Sequence, residues 1–321
     1  MNASADLASL AGELRDRLPD ATTEGASFAE LSTYRVGGPV AVLVRAADVD
    51  ALAAVAEVAR RHRPRVLVIG RGSNLLMSDV GFSGLVVVLE GGFEAIDLPA
   101  EGTGEQQSTL RAGGAVPLPV LARRAAAAGL AGLEFFVGIP GSVGGAVRMN
   151  AGGHGRETVE VLRRAWVLDL LGDAGEATAG VRTPADLELG YRHSNLRASE
   201  VVTAAEFTVT PDDRGACEAR VAEIVRWRRE HQPGGQNAGS VFRNPPGDSA
   251  GRLIDAAGLK GLRVGGAVVS EKHANFFQAD AGATARDVIE LVAEVQRRVQ
   301  ESTGVQLVPE LYVVGDDAGS P

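Results

Sequence analysis

Residues 130–155 carry the glycine-rich stretch LAGLEFFVGIPGSVGGAVRMNAGGHG, around which the rest of the chain is organised. Eight glycines fall between Gly132 and Gly155, and Pro140 lies among them. Glycine loses backbone entropy in a helix or strand and proline lacks an N–H donor, so we expect irregular backbone here, neither a stable helix nor an ordinary strand. Backbone N–H groups of residues 139–145 can then point at one ligand, which suits a phosphate or the edge of a planar ring.

A tight loop between packed strands is the alternative interpretation of the same stretch. The apolar residues 135–137 and, on the other side, Met149-Asn150 favour a buried site instead. A second glycine loop begins at Gly70, after residues 65–69, which are predicted to form a buried strand because 66–69 are apolar. Its first two glycines match the dinucleotide fingerprint G-x-G-x-x-G. Leu75 stands at the third position, however, and another turn follows it, so the sequence does not predict a Rossmann fold.

Composition limits the class of protein. The 321 residues carry a net charge of −9, which argues against nucleic acid as the main partner. The single cysteine, Cys217, excludes an intramolecular disulfide, and the five histidines lack metal-ligand spacing, so we predict no metal site. The basic cluster 60–65 ends a predicted helix and is expected to be a solvated face. No apolar run reaches the roughly 18 residues of a membrane span and residues 1–20 have no signal-peptide core, which predicts a cytoplasmic protein.

Hydrophobic periodicity and turn residues predict the elements along the chain. Residues 21–30 are expected to form a connector, the polar run 101–107 the tip of a hairpin, and 211–215 a break between domains. Helices are expected over 1–20, 48–62, 117–129, 216–231, 249–258 and 284–303, and strands over 40–45, 65–69, 84–89, 158–170, 201–210 and 305–314.

Five segments resemble the motifs of one enzyme family. They are TYRVGG at 33–38, GRGSNLL at 70–76, GLEFFVGIPGSVGGAVRMNAGG at 132–153, YRHS at 191–194 and GSVFRNP at 239–245. In sequence and order they are similar to those of the UDP-N-acetylenolpyruvoylglucosamine reductases (MurB), which make UDP-N-acetylmuramic acid for bacterial peptidoglycan. The matching markers run from Thr33 to Glu310 and cover most of the chain. No long insertion separates Arg192 from Ser240, so the chain resembles the shorter-loop subtype.

The resemblance implies an α+β fold. A two-lobed FAD-binding unit similar to the vanillyl-alcohol-oxidase (PCMH-type) group is followed by a C-terminal α/β substrate-binding domain. The implied boundaries are a helix and connector over 1–30, the FAD-binding domain over 31–212 with lobes at about 31–90 and 91–212, the substrate-binding domain over 213–315, and a tail over 316–321. The implied cofactors are FAD, bound non-covalently as in the family, and NADPH as co-substrate.

The implied reaction is reduction of the enolpyruvyl double bond of UDP-N-acetylglucosamine enolpyruvate. Reduced flavin delivers hydride to the terminal methylene carbon, and charge develops on the adjacent carbon, which must then be protonated. Arg192 matches the cation near the substrate carboxylate, because a guanidinium stays charged and can bind both enolate oxygens. Ser240 matches the proton donor and needs help from its neighbours. Glu310 matches the family's catalytic glutamate, which either orients the carboxylate side or assists the proton transfer.

Cofactor and substrate contacts are also implied by the resemblance. The positions matched to FAD binding are Arg35, Gly70, Gly72, Ser73, Asn74, Leu75, Gly138, Ile139, Pro140, Gly141, Ser142, Gly145 and Ala146. Tyr191 and Asn244 match substrate-binding positions. Three places depart from the family pattern: Arg71 where many relatives have glycine, His154 where an aromatic residue such as tyrosine is common, and Asn195-Leu196 after the YRHS motif.

Other functions are compatible with the same scaffold. An FAD-dependent oxidase would be reoxidised rapidly by oxygen. An electron-transfer flavin subunit would need iron–sulfur partners and leaves Ser240 and Glu310 unexplained, and a catalytically silent nucleotide-sugar-binding paralogue would bind ligand without turnover. The reductase is favoured, with UDP-N-acetylglucosamine enolpyruvate and NADPH as its partners. No nucleic acid and no membrane insertion are expected, and other cytoplasmic peptidoglycan-precursor enzymes are candidate protein partners.

Overall fold

The computed structural model describes residues 3–99, 107–172 and 179–317. Within these ranges, helices α1 to α7 span, in chain order, Ala3–Arg17, Val49–His62, Leu118–Ala127, Val143–Met149, Arg214–His231, Ala250–Ala256 and Ala285–Thr303. Strands β1 to β17 span Thr22–Ser27, Pro39–Ala46, Val66–Ile69, Leu75–Met77, Phe82–Leu89, Ile96–Asp97, Ser108–Gly113, Leu130–Ala131, Gly152–Gly153, Arg156–Glu157, Leu162–Asp169, Gly180–Arg182, Glu200–Pro211, Arg263–Val264, Ala267–Val269, Phe277–Ala279 and Tyr312–Val314. Of the predicted hairpin tip at 101–107, only Gln107 lies among the described residues.

The chain divides into two compact units, each assembled from separate segments. The first comprises residues 1–24, 42–71 and 84–227, and the second comprises residues 25–41, 72–83 and 228–321. This division does not coincide with the predicted boundary at residue 213, because α5 stays with the first unit as far as Trp227. The physical reason is that Cys217 and Val221 of α5 are buried in the core of the first unit.

Two sheets form the framework of the first unit. The four-stranded sheet, most of which lies in this unit, has the order β1–β2–β5–β3, with β3 and β5 parallel. The larger sheet has the order β12–β11–β13–β7–β6 and is antiparallel, with β8 also paired to β13. This mixture of helices and strands confirms the predicted α+β class. Across the described ranges, no helix is both long enough and apolar enough to cross a membrane.

Helix α2 confirms the predicted helix over 48–62. Oδ1 of Asp48 accepts a hydrogen bond from the N–H of Ala51 at 2.8 Å, which satisfies one of the unpaired donors at the helix start. The basic end of the helix is engaged within the chain, since Arg61 forms an ion pair with Glu13 of α1. Arg61, Arg63 and Arg65 are exposed, as expected, but two side-chain nitrogens of Arg60 are buried, so the cluster is only partly solvated.

Cys217 is fully buried in the core that packs α3 and α5 against the larger sheet. Burial in this apolar environment raises the pKa of its thiol. A thiol that stays protonated is a poor nucleophile, so Cys217 acts as a packing residue.

The second unit is built from a three-stranded antiparallel sheet, β14–β15–β16, and a parallel pair of β4 with β17. Helix α7 confirms the predicted helix over 284–303. Thr284 and Asp287 form a reciprocal capping box, and Gly304 ends the helix with φ +73°. One face of α7 is buried in the core of this unit, through Ala285, Val288, Leu291, Val295 and Val299.

Three predicted elements are wrong in extent. The connector 21–30 contains β1, whose residues are mostly exposed, so no hydrophobic alternation marks it in the sequence. The final strand was expected over 305–314 but β17 covers only Tyr312–Val314, since Pro309 lacks the N–H that a continuous ladder needs. Glu310 therefore lies just before the strand. The strand expected from Thr158 begins at Leu162, after a single 3₁₀ turn.

The prediction of wholly irregular backbone in the glycine-rich stretch is also wrong, because α4 lies within it. Its side chains Val143, Ala146 and Val147 are buried, and this packing offsets the entropy cost of its two glycines. A Cβ on Gly144 would lie 3.2 Å from the carbonyl oxygen of Gly114. Glycine at this position thus lets the helix approach neighbouring backbone, a packing role that a residue pattern alone does not reveal.

Candidate functional site

Within the first unit, the two predicted glycine loops meet. Gly70 directly follows β3, and a Cβ built on it would overlap Oγ of Ser142. Ser142 is 1% exposed and begins α4, where its Oγ accepts a hydrogen bond from the N–H of Gly145 at 3.4 Å. Only a residue without a side chain fits opposite this serine. The structure therefore brings together Gly70 and the segment 138–146, two sets of residues that are 68 positions or more apart in sequence.

The backbone of this loop offers donors to a ligand. The N–H groups of Val143 and Gly144 donate to the carbonyls of Val116 and Gly114 at 2.9 and 2.8 Å. In contrast, the N–H groups of Gly141 and Ser142 have no hydrogen-bond partner within the described part of the chain. Ser142 is buried and Gly141 is half-buried, so a ligand that reaches this loop can accept hydrogen bonds from their N–H groups. The loop thus fits a closely bound polar group such as a phosphate.

His154, one of the departures from the family pattern, packs on the same loop. A Cβ on Gly138 would lie 2.8 Å from Nε2 of His154, so the imidazole lies directly against the loop backbone. The other side of the ring meets Trp227 edge to face, with the ring centroids 5.1 Å apart. His154 adopts a left-handed backbone conformation with φ 54°.

Arg192 lies at the tip of a two-residue turn. Gly190 and His193 exchange backbone hydrogen bonds of 3.1 Å in both directions, and Arg192 has φ 54°. The buried side chain of Asn150 donates to the carbonyl of Gly190 at 3.0 Å. Asn150 itself ends α4 in a left-handed conformation. The glycine-rich loop and the turn that carries Arg192 are therefore joined by one buried amide.

The guanidinium of Arg192 is held on several sides. One of its nitrogens donates to the carbonyl of Gly152 at 3.4 Å, and another lies 3.9 Å from a carboxylate oxygen of Glu157. Its Cζ lies 4.9 Å from the centre of the Tyr191 ring. The Arg192 side chain is 18% exposed, so the charge is positioned but still reachable by a ligand. Tyr191, predicted to bind substrate, is 48% exposed beside it.

In the second unit, Ser240 and Glu310 lie on paired segments. Ser240 forms an isolated antiparallel bridge with Phe276. The next residue, Val241, accepts a hydrogen bond at its carbonyl from the N–H of Glu310 at 2.7 Å. Nδ2 of Asn74 donates to the carbonyl of Glu310 at 3.2 Å. The structure therefore places the predicted proton donor, the predicted glutamate and a predicted FAD-binding residue in one neighbourhood.

The remaining predicted residues of the second unit are spread around its loops. Gly72 has φ +59°, and a Cβ there would overlap the carbonyl of Leu31, so only glycine fits. Arg35 also has a left-handed backbone, with φ 55°. Oδ1 of Asn244 accepts from the N–H of Ala250 at 3.1 Å and so helps to begin α6. Ser73 lies in the turn after Gly72, and Leu75 begins β4.

Two buried asparagines and one arginine of the site regions have no role assigned from the sequence. Asn150 and Asn275 are 1% and 3% exposed, and their amides bond to backbone groups next to predicted site residues. The sequence does offer one indication of their importance. Asn150 lies in the glycine-rich run NAGG and Asn275 next to the phenylalanine in KHANF, and a polar residue that is buried in such a run is expected to be hydrogen-bonded. Nε of Arg243 is buried with no hydrogen-bond partner in the described residues, which marks it as a donor for an anion.

We expect Gly70→Ala to lower the free energy of unfolding by about 1–3 kcal/mol, because the new methyl group overlaps Oγ of Ser142. Urea unfolding of the variant measures this change. Ser142→Gly alone should cost only a few tenths of a kcal/mol, since glycine is tolerated at a helix start. The double variant should recover most of the loss. A double variant as unstable as Gly70→Ala would contradict the close approach of the two loops.

Known proteins are similar to this chain over nearly its whole length. A family model for an FAD binding domain matches residues 40–174, and one for the C-terminal domain of UDP-N-acetylenolpyruvoylglucosamine reductase matches residues 231–314. The reductase of Methylorubrum populi is 43% identical over 314 residues, which cover 97% of this chain and 96% of that protein. The reductase of Acidiphilium cryptum is 44% identical over 283 residues, with 88% and 87% covered.

A solved structure agrees with these relatives. The crystal structure of the reductase MurB from Thermus caldophilus is 38% identical to this chain, with a TM-score of 0.76 over 90% of this chain and 97% of that one. Identity at this level across both domains exceeds what a shared FAD-binding fold would give. This chain belongs to the UDP-N-acetylenolpyruvoylglucosamine reductase family.

Proposed function

We propose that this chain is an FAD-dependent reductase that converts UDP-N-acetylglucosamine enolpyruvate to UDP-N-acetylmuramate with NADPH, a step of peptidoglycan synthesis. The observation that carries the proposal is 43% identity to a named reductase over 97% of the chain. The similarity includes the C-terminal domain, in which Ser240 and Glu310 lie on paired segments. A shared FAD-binding fold alone would not account for that second domain.

The glycine loops are proposed to hold FAD. The close approach of Gly70 to Ser142 and the unpartnered N–H groups of Gly141 and Ser142 support this assignment in the first unit. Gly72 and Arg35, with their left-handed backbones, are also proposed to contact FAD, on the basis of the family motifs that contain them. When bound and reduced, FAD supplies the hydride that adds to the terminal methylene carbon of the substrate.

The chain's own residues are proposed to handle the charge and the proton. Hydride addition puts negative charge on the carbon next to the substrate carboxylate, and Arg192 neutralises that charge through its planar guanidinium. Ser240 donates a proton to the same carbon, so that the double bond gains one hydride and one proton in all. Glu310 either orients the carboxylate side or assists this proton transfer. Tyr191 and Asn244 are proposed substrate contacts.

Anaerobic titration tests the proposal. NADPH should bleach the yellow protein, and about one equivalent of the enolpyruvyl nucleotide sugar should then restore the colour. Acid precipitation should release all the flavin, because no covalent link is expected. Recovery by oxygen but not by the nucleotide sugar would favour an oxidase, and binding of the nucleotide sugar without any recovery would favour a silent paralogue.

A cytoplasmic location and contacts with other peptidoglycan-precursor enzymes stay predictions.

A further inference from the structure

One buried side chain holds the backbone that follows Ser240. Asn275 is 3% exposed, and its amide bonds twice to Phe242: Oδ1 accepts from the Phe242 N–H at 2.9 Å, and Nδ2 donates to the Phe242 carbonyl at 2.8 Å. The backbone carbonyl of Asn275 accepts a third bond, from the N–H of Val241 at 2.9 Å. A side-chain amide here takes the place that a neighbouring strand would occupy in a sheet.

The segment held in this way contains Ser240 and is hydrogen-bonded to the backbone of Glu310, so it contacts both predicted proton-handling residues. Ser240 directly precedes Val241, and the N–H of Glu310 donates to the Val241 carbonyl at 2.7 Å. On the far side of Phe242, the N–H of Arg243 donates to the carbonyl of Val308 at 2.9 Å. A shift of the segment would therefore move Ser240 and Glu310 with respect to each other.

Asn275 is itself fixed by the turn before it. Oγ of Ser270 accepts from the N–H groups of Lys272 and His273 at 3.1 and 3.4 Å. The N–H of Asn275 donates to Nδ1 of His273 at 3.3 Å, and burial lowers the pKa of that imidazole, so the neutral ring is available as an acceptor. Phe276, which pairs with Ser240, donates its N–H to the His273 carbonyl at 2.9 Å. The turn 270–276 thus presents the amide in one orientation.

We infer that Asn275 is a positioning residue for the proton transfer: its buried amide fixes the segment 240–243 and thereby the placement of Ser240 relative to Glu310. This inference rests on the proposed function. Removing the amide leaves the Phe242 N–H and carbonyl unpaired in the protein interior, and the segment must move to satisfy them. Small displacements of reacting groups can cost about 10²-fold in rate.

The test separates the two half-reactions in Asn275→Ala. NADPH-driven flavin reduction under nitrogen should stay within about twofold of wild type, while reoxidation by the enolpyruvyl nucleotide sugar slows by about 10²-fold. Substrate affinity for the oxidised enzyme, followed by the flavin absorbance change, should stay close to wild type. Hydrogen exchange at the amides of Phe242 and Glu310 should become faster. Asn275→Asp is the second variant, for use if the alanine variant does not fold. It keeps the side-chain volume and the acceptor for the Phe242 N–H but loses the amide donor, and it should slow reoxidation on the order of 10-fold.

A matched control removes buried volume elsewhere in the same core. Val288→Ala in α7 should speed unfolding but leave both half-reactions close to wild type. Wild-type-like reoxidation in both Asn275 variants, or equal slowing of both half-reactions, would overturn the inference. Failure of the proposed function would instead appear in the wild-type protein, as reduced flavin that the nucleotide sugar does not reoxidise.

Discussion

Ser240→Ala should leave flavin reduction by NADPH nearly intact and slow reoxidation by the enolpyruvyl nucleotide sugar by about 10²–10⁴-fold, the usual contribution of a general acid. Protonation of the substrate carbon belongs only to the second half of the cycle, so loss of the hydroxyl should not affect the first. Stopped-flow traces recorded under nitrogen, with each half measured alone, give both rates.

The matched control for this change is Ser249→Ala. That serine begins α6, where its Oγ accepts from the N–H of Arg252 at 3.3 Å, and its loss should cost about 1 kcal/mol of stability without affecting either half-reaction. Equal slowing of both halves in Ser240→Ala would indicate a disturbed flavin site. Unchanged reoxidation would remove Ser240 from the mechanism and assign the proton to Glu310 or water.

Arg192→Lys should bind flavin normally and slow reoxidation by roughly 10²-fold, comparable to the loss of one donor to a developing oxyanion. Lysine keeps the charge but lacks the planar fork, and it cannot keep both the contact with the Gly152 carbonyl and the approach to Glu157. Single-turnover reoxidation of the reduced enzyme measures the effect.

Arg214→Lys is the control, because the same exchange is made in an exposed ion pair with Glu218 in the same unit. It should leave both half-reactions close to wild type, since exposed ion pairs contribute little. If Arg192→Lys also turned over at a near-normal rate, Arg192 would be a structural residue and another cation would have to face the substrate carboxylate.

Local signals in the sequence predict part of the fold well. The start of α2 at Asp48 and the capping box of Thr284 and Asp287 are encoded within four residues, so these helices could be predicted with nearly correct bounds. The motif residues of the site were available only through resemblance. Nothing in the local pattern around Ser240 distinguishes it from an ordinary turn serine.

Features that depend on distant backbone could not be predicted. Helix α4 forms in a glycine-rich stretch because Gly144 meets the carbonyl of Gly114, a contact that no local propensity contains. The pairing of Tyr312–Val314 with β4 is equally non-local, since the two strands are more than 230 residues apart. The role of Asn275 is non-local as well, since its partner Phe242 lies 33 residues away. Hydrogen-bond partners of this kind follow from the fold and cannot be read from periodicity.

The parallel pairing of β4 with β17 sets the timing of assembly during synthesis. Asn74 and Glu310 are bonded although they are 236 residues apart, and β17 follows directly on Glu310. The nascent chain therefore carries β4 without its partner until residues 312–314 have left the ribosome. Contacts between residues so far apart in sequence form slowly, so the first unit can fold before the last strand of the second unit has been synthesised. Until that strand is available, the backbone N–H and C=O groups of β4 have no partner strand and can pair incorrectly with another segment.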